Sequence, residues 1–290
     1  MTTLPGKRVL VTGAASGIGR QLALDLARRG AVVVGWDLDR PALDSLVEEV
    51  ADLGGAAHAY TCDVGDRAAV ERTADLVRRE VGPIDVLVNN AGVVSGRPLT
   101  DLSEEDVERT FRVNTLAHFW TLQEFLPAMI ERDSGHVVTV SSAAGLLGTP
   151  RLTDYAASKH AVVGLAESLR LELARTAPGV RTTVVCPSYV DTGMFEGARI
   201  RSRHLLPLLR TEDVSSAIVR AVERDQVRLL MPPAVHLVSP LRVLPTRWFD
   251  TALRLLGITA SMDAFVGRRE QPRGQDGSRD VDARSTSHAS

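Results

Sequence analysis

Short apolar runs recur along the chain, and each is followed by a longer stretch whose apolar positions fall three or four apart. The first run covers residues 7–11. A Gly-rich turn follows it, then a helical pattern over 20–29 carrying Leu22, Leu24, Leu26 and Ala27. Gly30 stops that helix, and the next strand, 31–36, closes at Asp37. Pro41 opens the second helix. Further strands are expected over 56–62, 84–88, 137–140 and 180–186. Helices are expected over 66–81, from Ser103 to 130, and from Tyr155 to 175. Ser103 reads as an N-cap, with Asp106 standing in for the Glu or Gln of a capping box. Pro127 should bend or shorten the end of its helix. Asn114 falls mid-helix, where Asn is mildly unfavourable, so it needs a solvent face or a task.

Strands that are continuous apolar runs, alternating with helices, predict a parallel sheet covered on both faces. Right-handed crossovers then give a doubly wound, Rossmann-type α/β domain, spanning 1–270. Ligands of such sheets bind beyond the carboxyl ends of the strands. At those ends lie Gly13, Asp37, Asp63, Asn90, Ala91, Gly92, Ser142 and Pro187. This convergence outweighs any single motif.

The composition closes off several function classes. At 44% hydrophobic, 24% charged and a formal net charge of −2, the chain has no broad basic field for nucleic acid. Its seven histidines show no metal-ligand spacing. Cys62 and Cys186 each end a strand and read as buried free thiols in a reducing cytoplasm. The first strand begins so early that no signal peptide is expected, and no apolar run reaches the length of a membrane span.

The turn Thr12-Gly-Ala-Ala-Ser-Gly-Ile-Gly19 stands between a strand and a helix. Glycines let the backbone approach a pyrophosphate, and the helix N-terminus offers N–H groups and a positive dipole end. Taken alone, the pattern is also that of a tight strand-to-helix turn. Asp37 at the end of the next strand can accept hydrogen bonds from a ribose diol and would repel a 2′-phosphate. Ser16, before Gly17, is uncharged. Both favour NAD over NADP; Arg40 is the residue that could swing toward a phosphate, or simply be solvated.

Residues 141–159 carry the candidate chemistry. Ser141 and Ser142 end a strand, Gly145, Gly148 and Pro150 mark a loop, and Tyr155 and Lys159 share one helix face. An ammonium beside a phenol should lower its pKa from about 10. Such a tyrosine can move a proton on or off an alcohol oxygen, and a serine hydroxyl can hold that oxygen. By itself, Tyr-x-x-x-Lys reads more readily as a surface tyrosine with an unrelated lysine.

With these residues in place the chain resembles the short-chain dehydrogenase/reductase family over about residues 5–270. The motifs are Thr12 to Gly19, Asn89-Asn-Ala-Gly92, Asn114, Ser142, Tyr155-x-x-x-Lys159 and Pro187 to Thr192. The resemblance implies Tyr155 as general acid/base, Ser142 positioning the substrate oxygen, and Lys159 lowering the Tyr155 pKa while binding the nicotinamide ribose. It implies that Asn114 holds a water linking Lys159 to solvent. It implies cofactor contacts from Gly13, Ser16, Gly17, Ile18, Gly19, Asp37, Leu38, Asp63, Val64, Asn90, Ala91, Gly92, Tyr155, Lys159, Pro187, Val190 and Thr192. It also selects Ser142 over Ser141, by its spacing to the tyrosine. Ser188 departs from the Gly common after that proline. Homodimers or homotetramers built on the helices of Asn114 and Tyr155 are implied as well.

Other stretches, among them Val33-Val-Gly-Trp-Asp37 and Asn114-Thr-Leu-Ala-His-Phe-Trp-Thr121, are similar to the branch with retinol and hydroxysteroid dehydrogenases. That branch implies a lipophilic alcohol as substrate. His118 within it reads as a packed helix residue rather than a base. Residues 191–210 should form a lid, with Met194 and Phe195 toward the substrate; the same composition fits a surface loop with a buried apolar side. Residues 232–256 carry a short helix after Pro245, with Trp248, Ala252, Leu255 and Leu256 expected on one side. It could pack on the pocket, pack on another subunit or rest on a membrane surface. Without the N-terminal anchor common among membrane-associated relatives, any such contact is expected to be peripheral. Residues 271–290 read as a disordered tail. The leading expectation is an NAD-dependent oxidoreductase of a lipophilic alcohol. An NADPH-dependent carbonyl or acyl-chain reductase and a non-catalytic NAD-sensing protein are its rivals.

Overall fold

The computed structural model describes residues 1–198 and 206–267. Part of the expected lid (Arg199, Ile200, Arg201, Arg203, Leu205) and the 271–290 tail lie outside the described residues. Seven parallel strands form one sheet: β1 (Arg8–Thr12), β2 (Val32–Asp37), β3 (Ala56–Thr61), β4 (Val86–Asn89), β5 (Gly135–Val140), β6 (Val180–Pro187) and β7 (Arg228–Met231). Their order is β3-β2-β1-β4-β5-β6-β7. The order reverses between β1 and β4, which opens a crevice at the carboxyl edge.

Helices α1 (Gly17–Arg28), α2 (Arg40–Asp52) and α7 (Thr211–Glu223) cover one face. Helices α3 (Arg67–Glu80), α5 (Ala117–Glu131) and α6 (Thr153–Thr176) cover the other, with α4 (Glu104–Phe111) leading into α5. The two faces explain the apolar runs. Along β1, Val9 and Val11 enter the first core while Leu10 enters the second. Because successive side chains point to opposite faces, a strand buried on both must be apolar throughout. Trp36, fully buried, tilts against Phe125 with ring centroids 5.7 Å apart and ties β2 to α5.

The helix expected from Ser103 to 130 is interrupted. A π-helical turn, Arg112–Leu116, joins α4 to α5, and Asn114 sits in it. The sequence shows only an awkward Asn; the fold widens the helix there so that its side chain points inward. α5 ends at Glu131, one turn past Pro127. The sequence pattern did not single out α7, β7 or the short helix α8 (Val238–Leu241), whereas α9 (Thr246–Leu255) is the helix expected after Pro245.

The start of α4 is a complete capping box. The Asp106 amide donates to Ser103 Oγ (3.1 Å), and the Ser103 amide donates to Asp106 Oδ2 (3.1 Å). Asp106 therefore does the work of the longer Glu, helped by Arg97 at 2.7 Å. Ser103→Ala should cost about 1 kcal/mol, a fall of roughly 2–4 °C in Tm for a domain of this size. Thermal unfolding of the two proteins checks it; an unchanged Tm would remove the box from the account of α4.

Candidate active site

Two cavities meet at the carboxyl edge of the sheet. The first is a cleft of about 500 Å³ running from Asp37, Leu38, Asp63 and Val64 at one end, past the Gly-rich turn, to Ser142 and Tyr155. All the expected cofactor positions except Gly19 line it. Gly19 lies just beneath: a Cβ there would sit 2.0 Å from the Gly13 carbonyl oxygen, so no other residue lets α1 pack this close to β1. Asn90 Nδ2 donates to the Thr12 and Gly13 carbonyls (2.9 and 3.3 Å), closing the turn from the β4 side.

Asp37 is fixed by main-chain donors. Its Oδ2 accepts from the Ala15 amide (2.9 Å) and its Oδ1 from the Leu38 and Asp39 amides (2.7 and 3.2 Å). Arg40 pairs with Asp44 at 2.7 Å, one turn along α2, rather than with the cleft.

The second cavity is apolar. Leu147, Leu152, Phe195, Leu206, Phe249 and Leu253 are among its walls. With its cap seated it holds about 120 Å³, less than the ~300–1,000 Å³ of sites that take drug-sized ligands. Ser142, Tyr155, Ser188 and Phe195 line both cavities and mark where they join.

At that junction α6 presents Tyr155 and Lys159, both buried, at 5% and 3% exposure. Lys159 Nζ lies 5.8 Å from the phenol ring centroid and donates to the Val140 carbonyl at 3.0 Å. Ser141 Oγ donates to the Lys159 carbonyl (2.9 Å), so Ser141 is spent on holding the helix. Ser142 Oγ accepts from the Ala144 amide (3.1 Å), donates to the Pro187 carbonyl (3.4 Å) and lies near enough to the Tyr155 phenol to favour its ionised form. Of the two serines, Ser142 is therefore the one at the phenol.

The expected lowering of the Tyr155 pKa by Lys159 is corrected by the structure. Burial pushes the phenol up to about 12, and the Ser142 hydrogen bond offsets only part of this. Burial also brings the Lys159 ammonium down to about 8. Losing hydration disfavours the charged form of each, and this outweighs an ammonium held on a carbonyl rather than on the phenol oxygen.

Asn114 is fully buried and acts as a clamp. Its Oδ1 accepts from the Val93 amide (2.8 Å), and its Nδ2 donates to the Val93 carbonyl (2.9 Å) and to Ser158 Oγ (3.1 Å). It joins the loop after β4 to α6. A second clamp was not legible in the sequence. Asp154, 4% exposed and beside Tyr155, accepts from Ser95 Oγ at 2.9 and 2.8 Å and from Thr110 Oγ1 at 2.8 Å. Asn114 and Asp154 together fasten loop, α4 and α6 around the phenol. His118 is packed as expected: burial drives its ring down to about 3 and keeps it neutral.

Beyond β6, Val190 pairs with Leu209, closing the base of the lid. Phe195 stands edge-on to Tyr155 (5.7 Å) and to Tyr189 (5.3 Å). Met194 lines the cleft and not the apolar cavity. Residues 258–267, unmarked in the sequence, form a strap. Met262 packs beside Tyr155, and Tyr189 hydrogen-bonds Ser261 at 2.8 Å. The Val266 amide donates to the Glu196 carbonyl (2.9 Å), so the strap also holds the turn at Glu196. Helices α8 and α9 pack on the apolar cavity, which settles one choice left open for 232–256. The facing differs from expectation: Phe249, Leu253 and Leu256 line the cavity, while Trp248 and Leu255 are 71% and 74% exposed.

The residues present fit a dinucleotide. Gly13, Gly17 and Gly19 leave the turn open to a close approach, and Asp37 stands at the adenosine end. Ser188 Oγ, where Gly is usual, is a buried hydroxyl with no partner among the described residues at the cavity junction.

Comparison with known proteins agrees with this geometry. The short chain dehydrogenase family matches residues 7–202. Epidermal retinol dehydrogenase 2 of Mus musculus is 43% identical over 92% of this chain and 87% of the relative. Retinol dehydrogenase 10 of Xenopus tropicalis is 40% identical over 93% and 87%. A short-chain dehydrogenase/reductase from Burkholderia phymatum, solved in complex with NAD, superposes with a TM-score of 0.77 at 30% identity, covering 88% of this chain and 97% of that one. The chain belongs to the short-chain dehydrogenase/reductase family and is an oxidoreductase acting on CH–OH groups.

Proposed function

We propose that the protein is an NAD-dependent dehydrogenase of a lipophilic alcohol of retinoid, steroid or fatty-alcohol type, with Tyr155 as general acid/base. The observation that carries this reading is the junction itself. Ser142, Tyr155 and Ser188 face a polar dinucleotide-sized cleft on one side and an apolar cavity on the other. A carbinol carbon held there has hydride chemistry at one face and an apolar chain at the other. The names of two relatives above 39% identity, both retinol dehydrogenases, support the same substrate class.

A bound nicotinamide supplies the hydride acceptor or donor. The protein's part is to move the proton. Tyr155 takes it from the hydroxyl in oxidation and returns it in reduction. The phenol, pushed up to about 12, is the neutral acid that reduction needs; in oxidation it first gives up its own proton and only the phenolate then takes the alcohol's. Lys159 is the cation on hand when the phenolate forms. Ser142 donates to the oxygen as charge develops on it. Both Asn114 amide hydrogens are committed, to the Val93 carbonyl and to Ser158 Oγ. Asp37 sits where it would receive a ribose diol and repel a 2′-phosphate, and Arg40 is drawn off by Asp44, which supports NAD over NADP. Phe119 on α5 and Leu171 on α6 are exposed apolar residues, in keeping with a homodimer or homotetramer. The buried free thiols Cys62 and Cys186 fit a cytoplasmic setting.

Tyr155→Phe should lower turnover by roughly 10²–10⁴-fold, the usual share of a positioned acid/base, while the NAD dissociation constant stays near the wild-type value. Steady-state kinetics with NAD and a long-chain alcohol, beside a fluorescence titration of NAD, measure both. Turnover preserved in this variant would refute the mechanism. In a second comparison, wild type should prefer NAD, and Asp37→Ala should erode that preference on the order of tenfold in the ratio of kcat/KM values. A wild-type preference for NADP would overturn the cofactor assignment.

A further inference from the structure

Helix α9 is apolar on more of its circumference than the apolar cavity uses. At about 100° per residue, Phe249, Leu253 and Leu256 form the face that lines the cavity. Beside it runs a second stripe, Trp248 and Leu255, one heptad apart and 71% and 74% exposed. Beyond that stripe come Arg247 and Arg254, also a heptad apart and exposed. The segment leading into α9 adds Val243, 87% exposed, with Leu244 and Leu237 also in solvent. Leu237 both lines the cavity and reaches the surface. The outward apolar patch and the cavity wall are thus two sides of the same thin cap.

We infer that the α8–α9 cap docks on an anionic lipid bilayer surface, which presents the lipophilic alcohol to the cavity behind it. The order around α9, cavity face then tryptophan stripe then arginines, is that of a helix lying in a membrane interface. Charge singles out the occupant. Arg242, Arg247 and Arg254 stand against Asp250 alone between residues 237 and 256. Arg242 reaches His160 and Arg254 reaches Thr251; none of the three meets a carboxylate among the described residues. A second copy of the chain, placed by a two-fold axis on this patch, would bring the arginine rows toward one another. Lipid phosphates would meet them with opposite charge. No described helix is long and apolar enough to cross a membrane, so the contact is with one surface. It would also relieve the small cavity: a bilayer that takes up Trp248 and Leu255 can lift the cap and admit an alcohol that the seated cap does not.

This inference rests on the reading of the substrate as a lipophilic alcohol, and the test separates the two. The full chain is floated with vesicles of phosphatidylcholine alone, and of phosphatidylcholine mixed with phosphatidylglycerol. Wild type should bind the mixed vesicles roughly tenfold better than the neutral ones. Arg247→Glu with Arg254→Glu should remove that difference, and Trp248→Ser with Leu255→Ser should lower binding to both. Neither pair lines a cavity, so kcat/KM for a short water-soluble secondary alcohol should stay at the wild-type value, which also shows that the variants fold. KM for a long-chain alcohol dissolved in the mixed vesicles should rise about tenfold in both variants. Wild type that stays off the mixed vesicles, or variants that float as wild type does, would overturn the docking. So would variants that shift a monomer–oligomer equilibrium by sedimentation without changing flotation, since the patch would then face a second copy. Vesicle binding as expected with no turnover of any alcohol would instead overturn the substrate reading and leave the docking standing.

Discussion

The site depends on a lysine buried at 3% exposure with a carbonyl as its hydrogen-bond acceptor. An ammonium out of water costs free energy unless something compensates for its hydration. Here the compensation is partial, and the cost appears as a lowered pKa on Lys159, while the Tyr155 phenol is raised by its own burial. The surrounding structure has to hold both groups in this unfavourable setting. Ser141 pins the Lys159 carbonyl, Asn114 reaches Ser158, and Asp154 anchors the first turn of α6 to Ser95 and Thr110. These bonds are short, buried and made between elements far apart in sequence. They make α6 a rigid mount rather than one more covering helix.

Such a mount suits proton transfer. A phenol with a pKa well above neutrality and an ammonium lowered to about 8 stand one helix turn apart, each shifted by burial against its charged form. The apolar surroundings that raise one pKa and lower the other also strengthen every electrostatic contact made inside them. The two shifts are therefore one consequence of burial, and the same burial excludes water from the junction of the two cavities.

How much of this the sequence shows follows from how local each feature is. The sheet was legible because strands buried on both faces must be apolar at every position, and the cofactor turn because its glycines answer a local steric demand, as Gly19 against the Gly13 carbonyl shows. Tyr155 and Lys159 were legible by helix spacing, but their pKa shifts were not, since burial is set by partners from α5, β5 and the strap. Asn114 looked misplaced for the reason that makes it useful: its side chain bonds across the fold instead of along its own helix. Asp154 gave no signal, because an acid at the start of a helix is ordinary and only the arrival of Ser95 and Thr110 makes it a clamp. Residues 258–267 were silent for a similar reason. Met262 and Phe265 have no periodic pattern around them; they act through contacts with Tyr155, Phe195 and Gly96 that exist only once the chain returns over its own site.

The division of labour along the chain follows the same logic. The buried polar groups of the junction come from strand ends and from α6, where a one-residue change of register would turn side chains to the wrong face. The walls of the apolar cavity come from both sides of Pro187: Leu147 and Leu152 lie before α6, while Phe195 and the cap helices come after β6. These elements pack on the sheet edge without entering it, so their sequence is free to vary while the catalytic junction stays fixed. Ser188 stands at the boundary between the two regimes, with its amide donating to the Met231 carbonyl of β7 and its hydroxyl facing the junction.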